Sequence, residues 1–134
     1  MTADEINRLL KDSPFHQLME TEIREVGDSH VVGRMPIRAH FFHSGGVLHG
    51  GVTYSLADSV VAILVLNRAG YDRKAVTIEG KLNYLSSVAS GSEGWIWARA
   101  GLKHMGRTVA VADVDVSDDA GRLLSHGIFT YSVR

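Results

Sequence analysis

The side chains best suited to chemistry lie in one segment, His43-Ser44-Gly45-Gly46-Val47-Leu48-His49-Gly50-Gly51, with Asp58 a short way beyond it. A glycine-rich loop that runs into a helix presents unbonded backbone N–H groups at the positive end of the helix dipole. Such a loop can cradle a phosphate or polarise a carbonyl. The familiar phosphate loop is excluded by spelling: Gly45-x4-Gly50 is followed by Gly51-Val52, where Lys-Ser/Thr is required. No strand leads into a Gly-x-Gly-x-x-Gly fingerprint either. The carbonyl reading survives, because Gly50 and Gly51 offer N–H groups with no side chain in the way.

Asp58 follows among Leu56, Ala57, Val60 and Val61. An ionised carboxylate there is costly unless it is paired. Two readings stand side by side: a buried aspartate bonded to a nearby hydroxyl or backbone group, or a catalytic base. Gly50 and Asp58 are separated by about 12 Å along a helix at 1.5 Å per residue. Acid–base work needs contacts of about 3 Å, so one carbonyl cannot touch both. If both serve one reaction, Asp58 must come from a second copy lying antiparallel across a two-fold axis, and the protein is an obligate dimer.

The surrounding pattern must position these groups. Thr2 and Glu5 spell a capping box for a helix within residues 1–13 that stops before Pro14. Glu20–Val26 and His30–Pro36 read as strands around the Gly27-Asp28 turn. A helix over 50–69 follows, with an apolar body at Val52–Ala69 that should be buried on every side; it ends at Gly70, with Arg68 in its last turn. Four strand-like runs complete a sheet over 73–133: Ala75–Leu85, Gly94–Lys103, Arg107–Ser117 and Arg122–Val133. In the third, Val114 and Val116 alternate with Asp113 and Asp115, which suits an antiparallel sheet with one dry face. The expected fold is α+β, a long buried central helix wrapped by a curved antiparallel sheet, in a single domain over 1–134.

Composition narrows the function. At 134 residues the chain can bury roughly two thirds of its unfolded surface without a disulfide or metal staple. Fourteen Lys+Arg against fifteen Asp+Glu argue against a nucleic-acid binder. With no cysteine, a thiolate nucleophile and a cysteine-ligated metal are excluded. The start carries neither a basic nor an apolar signal region, and the apolar run Val52–Leu66 is shorter than the ~20 residues that span a bilayer. The expectation is a cytoplasmic protein that inserts in no membrane.

His49-Gly50-Gly51-(x)6-Asp58 at the head of a buried helix, within this order of strands, resembles the hotdog-fold acyl-CoA thioesterases, and most closely their phenylacetate-degradation (PaaI-type) branch. Leu56-Ala57-Asp58, Leu82-Asn83-Tyr84-Leu85 and His126-Gly127 extend the likeness from about Phe41 to Val133. The resemblance implies that the Gly50 N–H binds the thioester carbonyl. Asp58 of the partner subunit would act as general base on water, or as nucleophile. It also implies that Thr77 holds the water or the carboxylate and that His49 orients the loop. His43 stands where many relatives have Asn, and Ser87 where proline is frequent. Gly51, Lys103 and Arg107 are the candidates for substrate and coenzyme A contacts, the last two as phosphate ligands. The substrate would be an acyl- or aryl-CoA, with no metal or other cofactor, in a homodimer at minimum and a homotetramer by family habit.

Rival readings rest on fewer residues. His40, His43, His49 and Asp58 form a minor zinc candidate. Ser55 lacks the Gly-x-Ser-x-Gly context of a nucleophile. Trp95 and Trp97 share one strand face and suit packing better than a ligand box, and His126 reads as structural. A hotdog hydratase would show Asp-x4-His, which is absent. The alternative from another class is a hotdog module that binds acyl-CoA without turnover.

Overall fold

The computed structural model describes all 134 residues, Met1–Arg134. The first helix, α1 (Ala3–Leu10), has the capping box that its spelling predicts: the Glu5 N–H donates to Thr2 Oγ1 at 3.2 Å and the Thr2 N–H to the Glu5 carboxylate at 2.7 Å. Ile6 is its buried anchor. Asn7 bonds both the carbonyl and the N–H of Ile23, at 2.8 and 2.7 Å, tying the helix to β1 (Glu22–Val26).

A second short helix, α2 (Pro14–Met19), occupies residues between the expected first helix and first strand, where no element was expected. Ser13-Pro14 is its start signal, since proline at the first helical position surrenders an N–H that would be unbonded anyway. Glu20 closes α2 in the left-handed region, at φ 55°, so the strand expected from Glu20 begins only at Glu22.

Beyond it come β2 (His30–Pro36), a 3-10 turn at Ala39–Phe41, α3 (Gly50–Ala69), β3 (Ala75–Tyr84), β4 (Trp95–Met105), β5 (Val109–Asp118) and β6 (Leu123–Val133). The last four strands fall within two residues of the runs read from sequence. All six strands form one antiparallel sheet in the order β1-β2-β4-β5-β6-β3, with β3 at an edge. Bulges at Ile78 in β3 and Lys103 in β4 interrupt the register and curve the sheet.

The central helix packs across one face of this sheet, where the alternating Ala98, Ala100, Ala110, Ala112, Val114 and Val116 are fully buried. Small residues there let the helix approach closely. At 20 residues α3 is long and apolar enough to cross a bilayer, longer than the apolar run Val52–Leu66 on which the sequence expectation rested, but its apolar side is spent on the sheet. The expectation of burial on every side needs correction for the single chain. Leu56, Ala57, Val60, Val61 and Leu64 are buried, whereas Ser55, Asp58, Ser59 and Ala62 on the other face are only partly covered. Three hydrogen bonds clip α3 to β3, from Thr77 to Asp58, from Tyr54 to the Gly80 carbonyl, and from Tyr84 to the Gly50 carbonyl.

On the opposite face of the sheet, Arg34 stacks over Trp95 at 3.7 Å and Trp97 at 5.1 Å from their centroids, and Trp97 donates to Asp119. This is the packing role expected of the pair. His126 lies there too, bonded to Asp115 at 2.5 Å.

The β3–β6 pairing that carries the site depends on Gly127. A Cβ there would collide with the Lys81 carbonyl and stand 2.9 Å from Leu82 Cα, so the main chain itself must move. Gly127→Ala is therefore expected to lower stability by about 1–3 kcal/mol, read as a drop in the urea midpoint. An unchanged midpoint would show that β3 shifts at no cost.

Candidate active site

The glycine-rich loop is a stapled turn. His43 N–H donates to the Val47 carbonyl and His49 N–H to the Phe41 carbonyl, while Gly46 takes the left-handed corner at φ 81°. This delivers His49 as the N-cap of α3, with φ −64° and ψ 129°. Its Nδ1 accepts from the Gly51 N–H at 2.9 Å. The capping ring takes the place of the usual Ser, Thr, Asp or Asn.

That bond separates the two glycines. The Gly51 N–H, expected to be open to substrate, is spent on His49, and the Gly51 carbonyl accepts from Ser55. The Gly50 N–H has no acceptor in the chain. It is the one amide of the pair left at the positive end of the dipole. On its other side, the Gly50 carbonyl accepts from the Tyr84 hydroxyl at 2.6 Å. Burial pushes the Tyr84 phenol up, so it remains a donor.

Both loop histidines are used in the same way. His43 Nδ1 accepts from the Gly45 N–H at 2.8 Å, and the two rings stand nearly perpendicular with centroids 6.1 Å apart. A ring nitrogen that accepts leaves the proton on the other, so each neutral ring presents Nε2–H as a donor. In front of Gly50 lies a cavity of about 340 Å³, lined also by His43, Val47, Leu48, Thr53 and Tyr84.

Asp58 sits elsewhere, two turns along the same unbroken helix. Its Oδ1 accepts from Thr77 Oγ1 at 2.9 Å and from the Tyr131 hydroxyl at 2.5 Å. The same hydroxyl lies 2.8 Å from the Asp58 main-chain carbonyl. Oδ2 has no partner in the chain. Tyr131 is 2% exposed. Burial, and then its bond to Asp58, drive its ionisation far above the ordinary phenol value, so it stays protonated and donating. Thr77 and Tyr131 face each other across the β3–β6 ladder, which brings both hydroxyls to one carboxylate.

Thr77 was expected from sequence to lie beside Asp58; Tyr131 was not. The signal for it was available: alternation puts Tyr131 on the same dry face as Phe129 and Val133, and a buried tyrosine hydroxyl requires a partner. What the sequence did not supply was the register.

The candidates thus fall into two groups. His43, His49, Gly50 and Gly51 gather at one end of α3, whereas Asp58 and Thr77 meet about 12 Å along it. The zinc reading, which joined Asp58 to the histidines, finds them separated within one chain. Arg107 lies at the Asp58 end, in the turn where the Val133 N–H bonds the Thr108 carbonyl and Arg73 bonds the carbonyls of Arg107 and Val133. The Arg107 guanidinium has no partner, whereas Lys103 is drawn to Asp113 at 3.4 Å.

The sequence pattern of the thioesterase superfamily matches residues 45–125, which include the loop from Gly45 onward, the whole of α3 and strands β3, β4 and β5. The chain belongs to that superfamily. The crystal structure of a thioesterase from Haemophilus influenzae superposes with a TM-score of 0.90 at 26% identity, covering 100% of this chain and 91% of that one. A variant of a Pseudomonas aeruginosa thioesterase does so with a TM-score of 0.89 at 25% identity, covering 99% and 94%. The 1,4-dihydroxy-2-naphthoyl-CoA hydrolase of Escherichia coli is 26% identical over 120 residues, which are 86% of this chain and 82% of that enzyme. The fold is the hotdog fold and the protein is a thioester hydrolase.

The two hydroxyls on Asp58 are separable by mutation. A hydrogen bond to a charged group contributes about 1.5–3 kcal/mol. Tyr131→Phe is therefore expected to lower kcat ~10- to 100-fold. Thr77→Val should do the same and Thr77→Ser should restore the rate. A purely structural role would instead lower Tm while the folded fraction kept its wild-type kcat.

Proposed function

We propose that this thioesterase hydrolyses an acyl- or aryl-coenzyme A to the free acid and CoA, as a cytoplasmic member of the phenylacetate-degradation branch. The observation that carries the reading is the pairing of one unbonded amide with one half-bonded carboxylate on a single rigid helix. Gly50 N–H has no acceptor and Asp58 Oδ2 no donor, and the helix holds them too far apart to meet in one chain.

A second copy resolves the separation. Two α3 helices lying antiparallel bring Gly50 of one subunit to Asp58 of the partner subunit, and they form two such sites. The partly covered face of α3 supports this, since Ser55, Ser59 and Ala62 are small enough for a close helix–helix approach. So does the free edge of β3, where Val76 and Ile78 are exposed, the latter by 60%. An exposed apolar edge strand invites pairing with another chain. The unit is a homodimer at minimum, and pairing of dimers makes a homotetramer.

In the reaction, the thioester carbonyl oxygen accepts from the Gly50 N–H, aided by the helix dipole. Asp58 Oδ2 of the partner subunit removes a proton from water, and that water oxygen bonds the carbonyl carbon. Charge collects on the carbonyl oxygen opposite the amide. Collapse breaks the carbon–sulfur bond, and the proton held by Asp58 passes to the departing CoA thiolate. Thr77 and Tyr131 fix Oδ1 so that Oδ2 faces the water. His43 and His49 add neutral Nε2–H donors around the carbonyl. Arg107, with Lys103 less free, meets the phosphates of CoA at the Asp58 end. No step calls for a metal or a redox cofactor.

Gly50→Pro isolates the amide. Proline suits the first helical position, and the extended His49 backbone suits a residue before proline. Measured as release of CoA thiol, Gly50→Pro is expected to cost ~100- to 1,000-fold in kcat, with a small fall in Tm because the added Cβ meets the Tyr84 ring at 3.2 Å. Asp58→Asn should abolish turnover with the oligomer intact. Wild-type rates in both variants would remove these groups from the chemistry.

A further inference from the structure

The helix that carries the unbonded amide opens on Gly50 and Gly51, and glycine is a poor helix former. The two residues bring no side chain to hold the first turn closed. Tyr84 holds it from outside. This is the last residue of β3, and its main chain is fixed: it pairs with Ser125 on β6, and the next N–H, of Leu85, donates to the Leu124 carbonyl. From there the phenol donates to the Gly50 carbonyl, 34 positions away in the chain, at 2.6 Å. A Cβ on Gly50 would stand 3.2 Å from the Tyr84 ring, so the ring lies directly against this glycine.

Neither partner needs this bond for its own sake. The Gly50 carbonyl already accepts within the helical ladder of α3, and its second lone pair can be left to water. Tyr84 is 53% exposed, so its hydroxyl could bond water as well. The bond is therefore not the rescue of a stranded polar group. What it fixes is an orientation.

The carbonyl that Tyr84 holds and the Gly51 N–H belong to one peptide unit. A peptide is planar, so fixing its oxygen also aims its N–H. That N–H donates to His49 Nδ1 at 2.9 Å. Tyr84, the Gly50–Gly51 peptide and His49 thus form one chain of hydrogen bonds, all donating in the same direction, and such bonds polarise one another. The chain keeps the Gly51 amide on the capping ring. The amide before it, that of Gly50, is left free in front of the cavity.

We propose that Tyr84 is a positioning residue for thioester hydrolysis: by pinning the Gly50–Gly51 peptide it closes the first turn of α3, holds the Gly51 N–H on His49, and keeps the Gly50 N–H aimed at the site of the carbonyl oxygen. The proposal rests on the reading that the carbonyl binds at Gly50. The Tyr84 hydroxyl is committed to main chain, so it acts through that amide and not on the reacting atoms. A donor aimed in advance counts most when charge gathers on the oxygen, so its misalignment lowers kcat more than it raises KM.

Tyr84→Phe removes the hydroxyl and keeps the ring against Gly50. With phenylacetyl-CoA, benzoyl-CoA and hexanoyl-CoA as substrates, kcat is expected to fall ~10-fold while KM stays within ~2-fold. Amide hydrogen exchange, followed by NMR, should become ~10-fold faster at Gly51 and stay unchanged at Val60, Val61 and Leu64 in the buried middle of α3. A merely structural hydroxyl would lower Tm and leave the folded fraction with wild-type kcat. Wild-type kcat in Tyr84→Phe, a loss carried by KM alone, or exchange at Gly51 no faster than in the wild type overturns the proposal. If the wild type itself releases no thiol from any of these esters, the acyl-CoA reading beneath the proposal fails, and the proposal with it; the wild-type rate tells the two failures apart.

Discussion

A continuous α-helix cannot shorten the span of about 12 Å between the Gly50 amide and the Asp58 carboxylate. The remainder of the structure is organised by that fixed length. The sheet covers one side of α3 and clips it to β3 at three levels, so the helix can neither slide nor bend to bring its two reactive points together. On the proposed reading, each end of that span carries half of a reaction centre. At one end lie the loop histidines, the free amide and the cavity of about 340 Å³; at the other, the half-bonded carboxylate and the unpaired Arg107. In the proposed dimer, two copies in antiparallel register make each half whole.

The carboxylate end has its own constraint. An aspartate in so apolar a helix must be compensated, and the compensation comes from the sheet rather than from the helix. Thr77 and Tyr131 are partners on adjacent strands, and both reach the same oxygen. This arrangement satisfies Oδ1 while leaving Oδ2 open on the partly covered face of the helix. On the proposed reading, structural satisfaction and catalytic availability are thus divided between the two oxygens of one side chain. The bulge at Ile78 falls directly after Thr77, where it bends the edge strand that carries this contact.

What could be read from the sequence was whatever is encoded locally. The capping box at Thr2, the length of α3 and the four late strands follow from neighbouring residues, and so does the spacing of Gly50 from Asp58. That an ionised Asp58 needs a partner was legible, with a hydroxyl or a backbone group left open; Thr77 entered through a family resemblance. Tyr131 was hidden because it reaches Asp58 only through a register that spans most of the chain. α2 was missed because six residues leave little periodicity to detect, although Ser13-Pro14 marks its start. The Gly51 amide was expected to be open because a histidine that caps its own helix through Nδ1 is uncommon. The even burial expected of α3 failed for a different reason. Its composition is apolar nearly all round, but one face carries small residues that a single chain leaves partly uncovered.

The proposed division of the site between subunits is most directly tested by complementation. Gly50→Pro and Asp58→Asn proteins, each inactive alone, are unfolded together, refolded as a mixture, and assayed for release of CoA thiol. If each centre takes its amide from one subunit and its carboxylate from the other, half of the dimers formed are mixed and each mixed dimer holds one intact centre. The mixture should then regain about a quarter of wild-type activity. A mixture as inactive as either parent, with mixed dimers demonstrated by differential tagging, would contradict the shared site.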